Sequence, residues 1–209
     1  MKIPLAKEGF VFIIPLLVVT ILMFLLSFYW VAFFLGLGFL FVTCFFRDPE
    51  RHIPNEPNVI VSPADGKITE IITEKEPING ELCKRVTIFL SVFNVHVNRV
   101  PIAGTIEEIR YNPGKFLAAF NPKASMDNEQ NIILINNGKT HVFVKQIAGL
   151  IARRIVCWPK KGDYYESGQR YGLIRFGSRV DILLPETTKL SVTCGDRVSG
   201  GKSIIGYLT

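Results

Sequence analysis

From Gly9 to Phe46 the chain carries no charged side chain, and this stretch limits the architecture more than any other. Its only ordinary polar side chains are Thr20, Ser27 and Thr43, with the amphipathic Tyr29 and Trp30 near the middle. About 20 apolar residues cross the ~30 Å hydrocarbon core of a bilayer. These 38 residues, helical throughout, would measure about 57 Å at 1.5 Å per residue, nearly two crossings. A cleaved signal peptide is excluded, because its apolar core is only about 7–15 residues and ends at a small-residue cleavage site. Two geometries remain, one long tilted helix or a tight hairpin of two short ones. Lys2 and Lys7 precede the stretch, and Arg47 and Arg51 follow it. Basic flanks stay in the cytoplasm, so two on each side give a single span no orientation, whereas a hairpin keeps all four on one side. A hairpin also carries Ser27, Tyr29 and Trp30 to the far interface, where aromatic residues collect. The flanks therefore favour a two-helix anchor over residues 1–46, holding the remainder at the cytoplasmic face of the cell membrane.

Past Arg47 charge returns and stays. Residues 1–52 hold four basic and three acidic side chains, so of the total formal charge of +6 the remainder carries +5. That excess suits a surface facing anionic lipid. No basic run of five or more and no aromatic-basic interleaving occurs, which argues against nucleic acid as a partner. Cys44, Cys83, Cys157 and Cys194 are scattered, with no C-x-x-C pair and no neighbouring histidine, so no metal site is expected. They read as small buried hydrophobes in a reducing compartment.

RDPERHIPNEPN, residues 47–58, holds three prolines and five charges and reads as an extended linker. A folded domain is expected over residues 59–209. KITEIITE, RVTIFLSVF, GTIEEIRY, NIILINN, HVFVKQIAG, YGLIRFG, RVDILLP, KLSVTC and SIIGYL are short β-branched runs parted by turn residues. Their spacing predicts a mainly β domain, a sandwich or barrel-like fold. Helix is scarce, the best candidate being Ile151–Ile155, and NNG at 136–138 reads as a hairpin turn.

Three histidines bound the available acid–base chemistry. His52 lies in the linker, His141 opens a strand, and His96 sits in FLSVFNVHVNRVP just ahead of Pro101, where alternation fails. Asp65 lies in VSPADGKI, a turn signature in which an aspartate usually caps the backbone. It is also a candidate to orient a histidine that activates a serine. RFGSRVDILLP, residues 175–185, places a Gly-Ser step inside a strand-like run; a bulge and a bond made to break both fit those residues.

Six segments in order carry a resemblance: PADG, FNVHVNRVP, NPKASMDNEQN, QIAGLIARRI, GQRYGLIRFGSRVDILLP and GDRVSGGKSIIGYL. Together they resemble the short form of the phosphatidylserine decarboxylase family, over about residues 53–209. The resemblance implies an inactive proenzyme that cuts itself between Gly177 and Ser178 into a β chain, 1–177, and an α chain, 178–209, which remain together as a heterodimer. Ser178 would attack the Gly177 carbonyl, and elimination and hydrolysis would leave a covalent pyruvoyl group derived from Ser178, with no external cofactor and no metal. His96 matches the family's base and Asp65 its orienting carboxylate. A Schiff base between the pyruvoyl group and phosphatidylserine would then lose carbon dioxide and yield phosphatidylethanolamine. A lipoyl-like hairpin near the C-terminus and assembly into homo-oligomers are further family expectations.

The sequence departs from the longer bacterial members at one position. Arg99 stands where they carry a second histidine, which leaves one histidine nearby for two proton-transfer roles: either His96 serves both in turn, or Arg99, a water or the substrate phosphate assists. Arg99 is a candidate to pair with the substrate carboxylate or phosphate, or simply to form a surface salt bridge. KFLAAFNPKASMDNEQN, residues 115–131, reads as a long loop in which Phe116, Leu117 and Phe120 could reach lipid. Two alternatives of other classes are a membrane-tethered lipoyl-like binding module without catalysis, and a serine hydrolase using Ser178, His96 and Asp65.

Overall fold

The computed structural model describes residues 4–76, 80–114, 128–149, 154–175 and 178–209. The expected helix at Ile151–Ile155 falls mostly outside these residues, as do the Gly177 half of the Gly-Ser step and the loop positions Phe116, Leu117 and Phe120. The chain divides into two compact units, residues 1–50 and 51–209.

The first unit is a helical hairpin. Helix α1 (Phe10–Leu25) and helix α2 (Tyr29–Phe45) are joined by a turn in which Ser27 adopts φ 65°. The chain on either side of the pair is stitched together. Ala6 donates to the Phe46 carbonyl at 2.8 Å, Asp48 to the Pro4 carbonyl at 2.8 Å, and the rings of Phe12 and Phe46 stack 5.7 Å apart. Both helices are apolar all round, and Val11, Leu25, Phe34 and Leu40 point outward uncovered, the pattern of helices meant for lipid. Thr20 and Thr43 return their hydroxyls to the carbonyls of Leu16 and Phe39, each at 2.7 Å, so neither presents an unpaired polar group. With one preceding turn, α1 spans Lys7–Leu25 and is long and apolar enough to cross a bilayer.

The second unit is mainly β. Its strands are β1 (Val59–Val61), β2 (Gly66–Lys75), β3 (Leu82–Leu90), β4 (Val97–Arg99), β5 (Gly104–Asn112), β6 (Gln130–Asn136) and β7 (His141–Ala148). Then follow β8 (Ile155–Cys157), β9 (Tyr164–Tyr165), β10 (Arg170–Ile174), β11 (Ser178–Pro185), β12 (Lys189–Leu190), β13 (Arg197–Val198) and β14 (Ile204–Tyr207). Eight strands form a curled, half-barrel sheet in the order β13-β2-β3-β11-β7-β6-β5-β9. Two three-stranded sheets, β1-β14-β12 and β4-β10-β8, complete the unit, and every pairing is antiparallel.

Alternation along β11 explains where the core lies. Val180, Ile182 and Leu184 point to the inner face and join Ile68, Val86, Ile88, Leu90, Val142 and Val144 in one apolar cluster. The outer phase carries Arg179 and Asp181, whose side chains form a two-pronged ion pair at 2.7 Å and 2.7 Å. Arg85 lies 3.5 Å from Asp181 and pairs with Glu70 at 2.9 Å. Burial depresses the Lys145 ammonium, while the Asp181 charge opposite it pulls the other way. A strand covered on both faces thus satisfies its charges by mutual pairing.

Candidate active site

Ser178 opens β11, paired across the sheet with Leu90 of β3 and Ala148 of β7. It is 0% exposed, and alternation puts its side chain on the inner face with Val180 and Ile182. Its Oγ has no hydrogen-bond partner among the described residues. Buried polar groups are nearly always paired, and one left unpaired costs about 1–3 kcal/mol. An orphaned hydroxyl at this strand end is a feature to be explained by chemistry.

His96 lies just ahead of β4, a strand of the β4-β10-β8 sheet. Its carbonyl accepts the Ile174 amide at 3.3 Å, continuing the β4–β10 ladder by one residue beyond the Val97–Leu173 pair. From Ile174 to Ser178 is four residues, a span of at most about 14 Å. From the other direction, Leu90, the cross-strand partner of Ser178, leads into the short loop that ends at His96. That loop is built around Asn94, whose Oδ1 accepts the amide and hydroxyl of Ser91 at 2.9 and 2.8 Å. The Asn94 carbonyl in turn lies 2.9 Å from Nδ1 of His96. A carbonyl can only accept, so in the neutral ring Nδ1 carries the hydrogen and Nε2 the lone pair. His96 is thereby set as a base through Nε2.

Asp65 and Arg99 belong to a neighbouring cluster. The Asp65 carboxylate accepts from Arg51 at 2.8 Å and from the Gly200 amide at 2.7 Å, so its bonds run to these groups and the Nδ1 of His96 is oriented by Asn94 instead. The Arg99 amide donates to the Pro63 carbonyl at 2.9 Å, and its guanidinium to the Gly168 carbonyl at 2.9 Å. Arg99 is 6% exposed, which corrects the reading of it as a surface salt bridge. Burial and close packing are the reason: a Cβ added at Gly201 would lie 2.7 Å from the Arg99 side chain. Ser178 thus heads β11 and His96 stands just ahead of β4, while Asp65 and Arg99 lie about the turn around Pro63.

A chain of buried amides lies on the inner face and was missed by the sequence reading. Asn131 donates to Gln146 at 3.2 Å, and Gln146 donates to Oδ1 of Asn98 at 2.9 Å. Nδ2 of Asn98 has no partner among the described residues. The signal was available in HVFVKQIAG, where Gln146 interrupts the inward phase Val142, Val144, Ala148.

Among the described residues no group of histidines, cysteines and carboxylates could hold a metal ion. The thiols of the buried Cys83 and the half-buried Cys157 are each pushed up to about 11, chiefly by desolvation, which keeps them protonated and inert. One groove, of about 520 Å³, is lined by Cys83, Glu107, His141, Phe143 and Leu183 among others and includes neither Ser178 nor His96. The Ser178 hydroxyl is fully buried, and the nearest carbonyl along the chain is the one bonded to its own nitrogen. The arrangement suits an intramolecular attack.

A family model described as phosphatidylserine decarboxylase matches residues 39–206. A phosphatidylserine decarboxylase proenzyme of Geotalea uraniireducens (strain Rf4) is 44% identical over 206 residues, covering 98% of this chain and 97% of that protein. One from Syntrophus aciditrophicus (strain SB) is 47% identical over 206 residues, covering 97% and 96%. One from Chlorobium chlorochromatii (strain CaD3) is 49% identical over 177 residues, covering 85% and 84%. With a match across nearly its full length, the chain belongs to the phosphatidylserine decarboxylase family.

Proposed function

We propose that the chain is the precursor of a membrane-anchored enzyme that decarboxylates phosphatidylserine to phosphatidylethanolamine, using a pyruvoyl group made from its own Ser178. The observation that carries this reading is the orphaned, fully buried Oγ of Ser178 at the head of β11, and it is supported by a histidine whose Nδ1 faces the Asn94 carbonyl, which puts the lone pair of the neutral ring on Nε2. The relatives' name, proenzyme, supports the same reading.

Nε2 of His96 takes the Oγ proton as Ser178 attacks the carbonyl of residue 177. The C–N bond breaks, the proton passes to the departing nitrogen, and an ester replaces the amide. Loss of the Ser178 α-proton then expels the carboxylate of residues 1–177, and water converts the resulting enamine to a ketone and ammonia. The residues present fit such a group, since the position that would become the ketone is buried, held on both sides by β3 and β7, and near a proton-transferring imidazole. When formed, a pyruvoyl group supplies a carbonyl that captures the substrate amine and accepts the electrons released with carbon dioxide. His96 is then the proton donor to the former α-carbon. Asp65, through Arg51 and Gly200, keeps the turn beside Arg99 in shape, and Arg99 backs the headgroup site.

The two pieces would not separate. Residues 178–209 contribute β11 between β3 and β7, β13 beside β2, and β14 between β1 and β12, so both chains share sheets along their length. The hairpin of α1 and α2 would hold this heterodimer at the cytoplasmic face of the membrane, where its substrate lies. Intact-mass measurement of the purified protein should give fragments 1–177 and 178–209, the shorter with a blocked keto terminus, and Ser178→Ala should give one full-length chain. Cutting of Ser178→Ala at the same bond would assign the break to a protease and sink the proposal. An intact wild-type chain would instead favour the binding-module reading.

A further inference from the structure

Self-cutting ahead of Ser178 puts negative charge on the scissile carbonyl oxygen, and that charge needs a donor. Resting on the processing just proposed, we infer that the side-chain amide of Asn98 is this donor, with Gln146 and Asn131 as its positioning residues.

Asn98 is 0% exposed, and its Oδ1 is held by Gln146 at 2.9 Å, itself held by Asn131 at 3.2 Å. This fixes which way the carboxamide faces and leaves Nδ2 as a buried N–H donor unpaired among the described residues. Asn98 and His96 stand two residues apart on one extended segment, so their side chains share a face. The bond to Gln146 shows that this face meets the inner face of the large sheet. Gln146 is one alternation step along β7 from Ala148, the cross-strand partner of Ser178. Gly172, paired with Asn98 across β10, adds no side chain to compete for the amide. Two orphaned buried groups, a hydroxyl and an N–H donor, thus border one interior region. The scissile carbonyl is bonded directly to the Ser178 nitrogen.

The electrons balance as follows. As the Oγ–C bond forms, the Oγ proton moves to Nε2 of His96 and the carbonyl π pair moves onto oxygen, where Nδ2–H of Asn98 holds it. Collapse restores the C=O bond and expels the Ser178 nitrogen, which takes the proton back from His96. The site's burial strengthens the donor's effect and keeps water from the ester.

The test follows cutting of the full-length chain made by cell-free synthesis into lipid nanodiscs, with Ser178→Ala as the uncut marker. Asn98→Ala should slow cutting by about 10²–10³-fold, the usual loss for one oxyanion donor. Asn98→Asp keeps the shape but donates only when protonated, so its cutting, taken relative to the wild-type rate at each pH, should rise as pH is lowered from 8 to 5.5. Wild type, which needs an unprotonated base, should slow over the same range. Gln146→Glu should turn the amide around and slow cutting, with no added effect in the Asn98→Ala background. Cutting of Asn98→Ala at the wild-type rate would overturn the assignment. Were that variant unfolded, a wild-type pH profile for Asn98→Asp would overturn it equally. Failure of the wild-type chain to cut would instead sink the processing reading itself, so the two failures are told apart.

Discussion

If Ser178 Oγ is buried without a partner, removing it should make the precursor more stable. The comparison needs two uncut chains, so it is made in a His96→Asn background, with and without Ser178→Ala. Both retain the continuous backbone, and they differ only by one hydroxyl at a 0% exposed position. The desolvation cost of an unpaired hydroxyl is about 1–3 kcal/mol. For a domain of 150–250 residues each kcal/mol moves the midpoint by roughly 2–4 °C, so the double variant should melt about 2–12 °C higher. Thermal unfolding in detergent, followed by tryptophan fluorescence, reads the effect, since Trp158 lies in the β unit. An equal or lower melting temperature would mean that the hydroxyl is paired or wet in the precursor, and the argument from the orphaned Oγ would fail.

Further expectations concern the scaffold. Ile182→Ala removes a fully buried inner-face side chain from the central strand and should cost about 2–5 kcal/mol, read as a lowered midpoint in chemical denaturation. Asp181→Asn leaves the buried Arg179 and the nearby Arg85 without their shared carboxylate and should cost about 3–5 kcal/mol in the same measurement. Iodoacetamide at pH 8 should modify the exposed Cys194 while sparing Cys83 and Cys157, and reactivity of those two should emerge only as pH nears 11, where their thiolates form. Reporter cysteines placed before Lys7 and after Arg47 should label from the same side of a sealed vesicle; labelling from opposite sides would exclude a hairpin in the bilayer.

The large features were legible because they are written as composition and period. The uncharged stretch became α1 and α2, and RVDILLP became part of β11, because long β-branched runs leave few other ways to bury themselves. Strands of two or three residues such as β4, β8, β9 and β13 were not anticipated, since so short a segment shows no period and exists only because a partner pairs with it. Ile155 shows this directly. It was expected to end a helix, and instead begins β8 opposite Ile174 of β10, a tertiary pairing that local propensity does not record. Asp65 is the subtler case: the turn signature suggested a local backbone cap, and the carboxylate does accept an amide, but from Gly200, 135 positions away. The amide chain through Gln146 was visible only as a polar residue in an inward phase, with no hint of what it would touch.

The place of β11 between β3 and β7 bears on timing. Under the self-cutting proposed above, the serine, its base and the interior amide would lie on separate pieces of chain until those neighbours zip onto it. Scission would then be a signature of finished folding, and a polypeptide that failed to assemble would stay chemically silent.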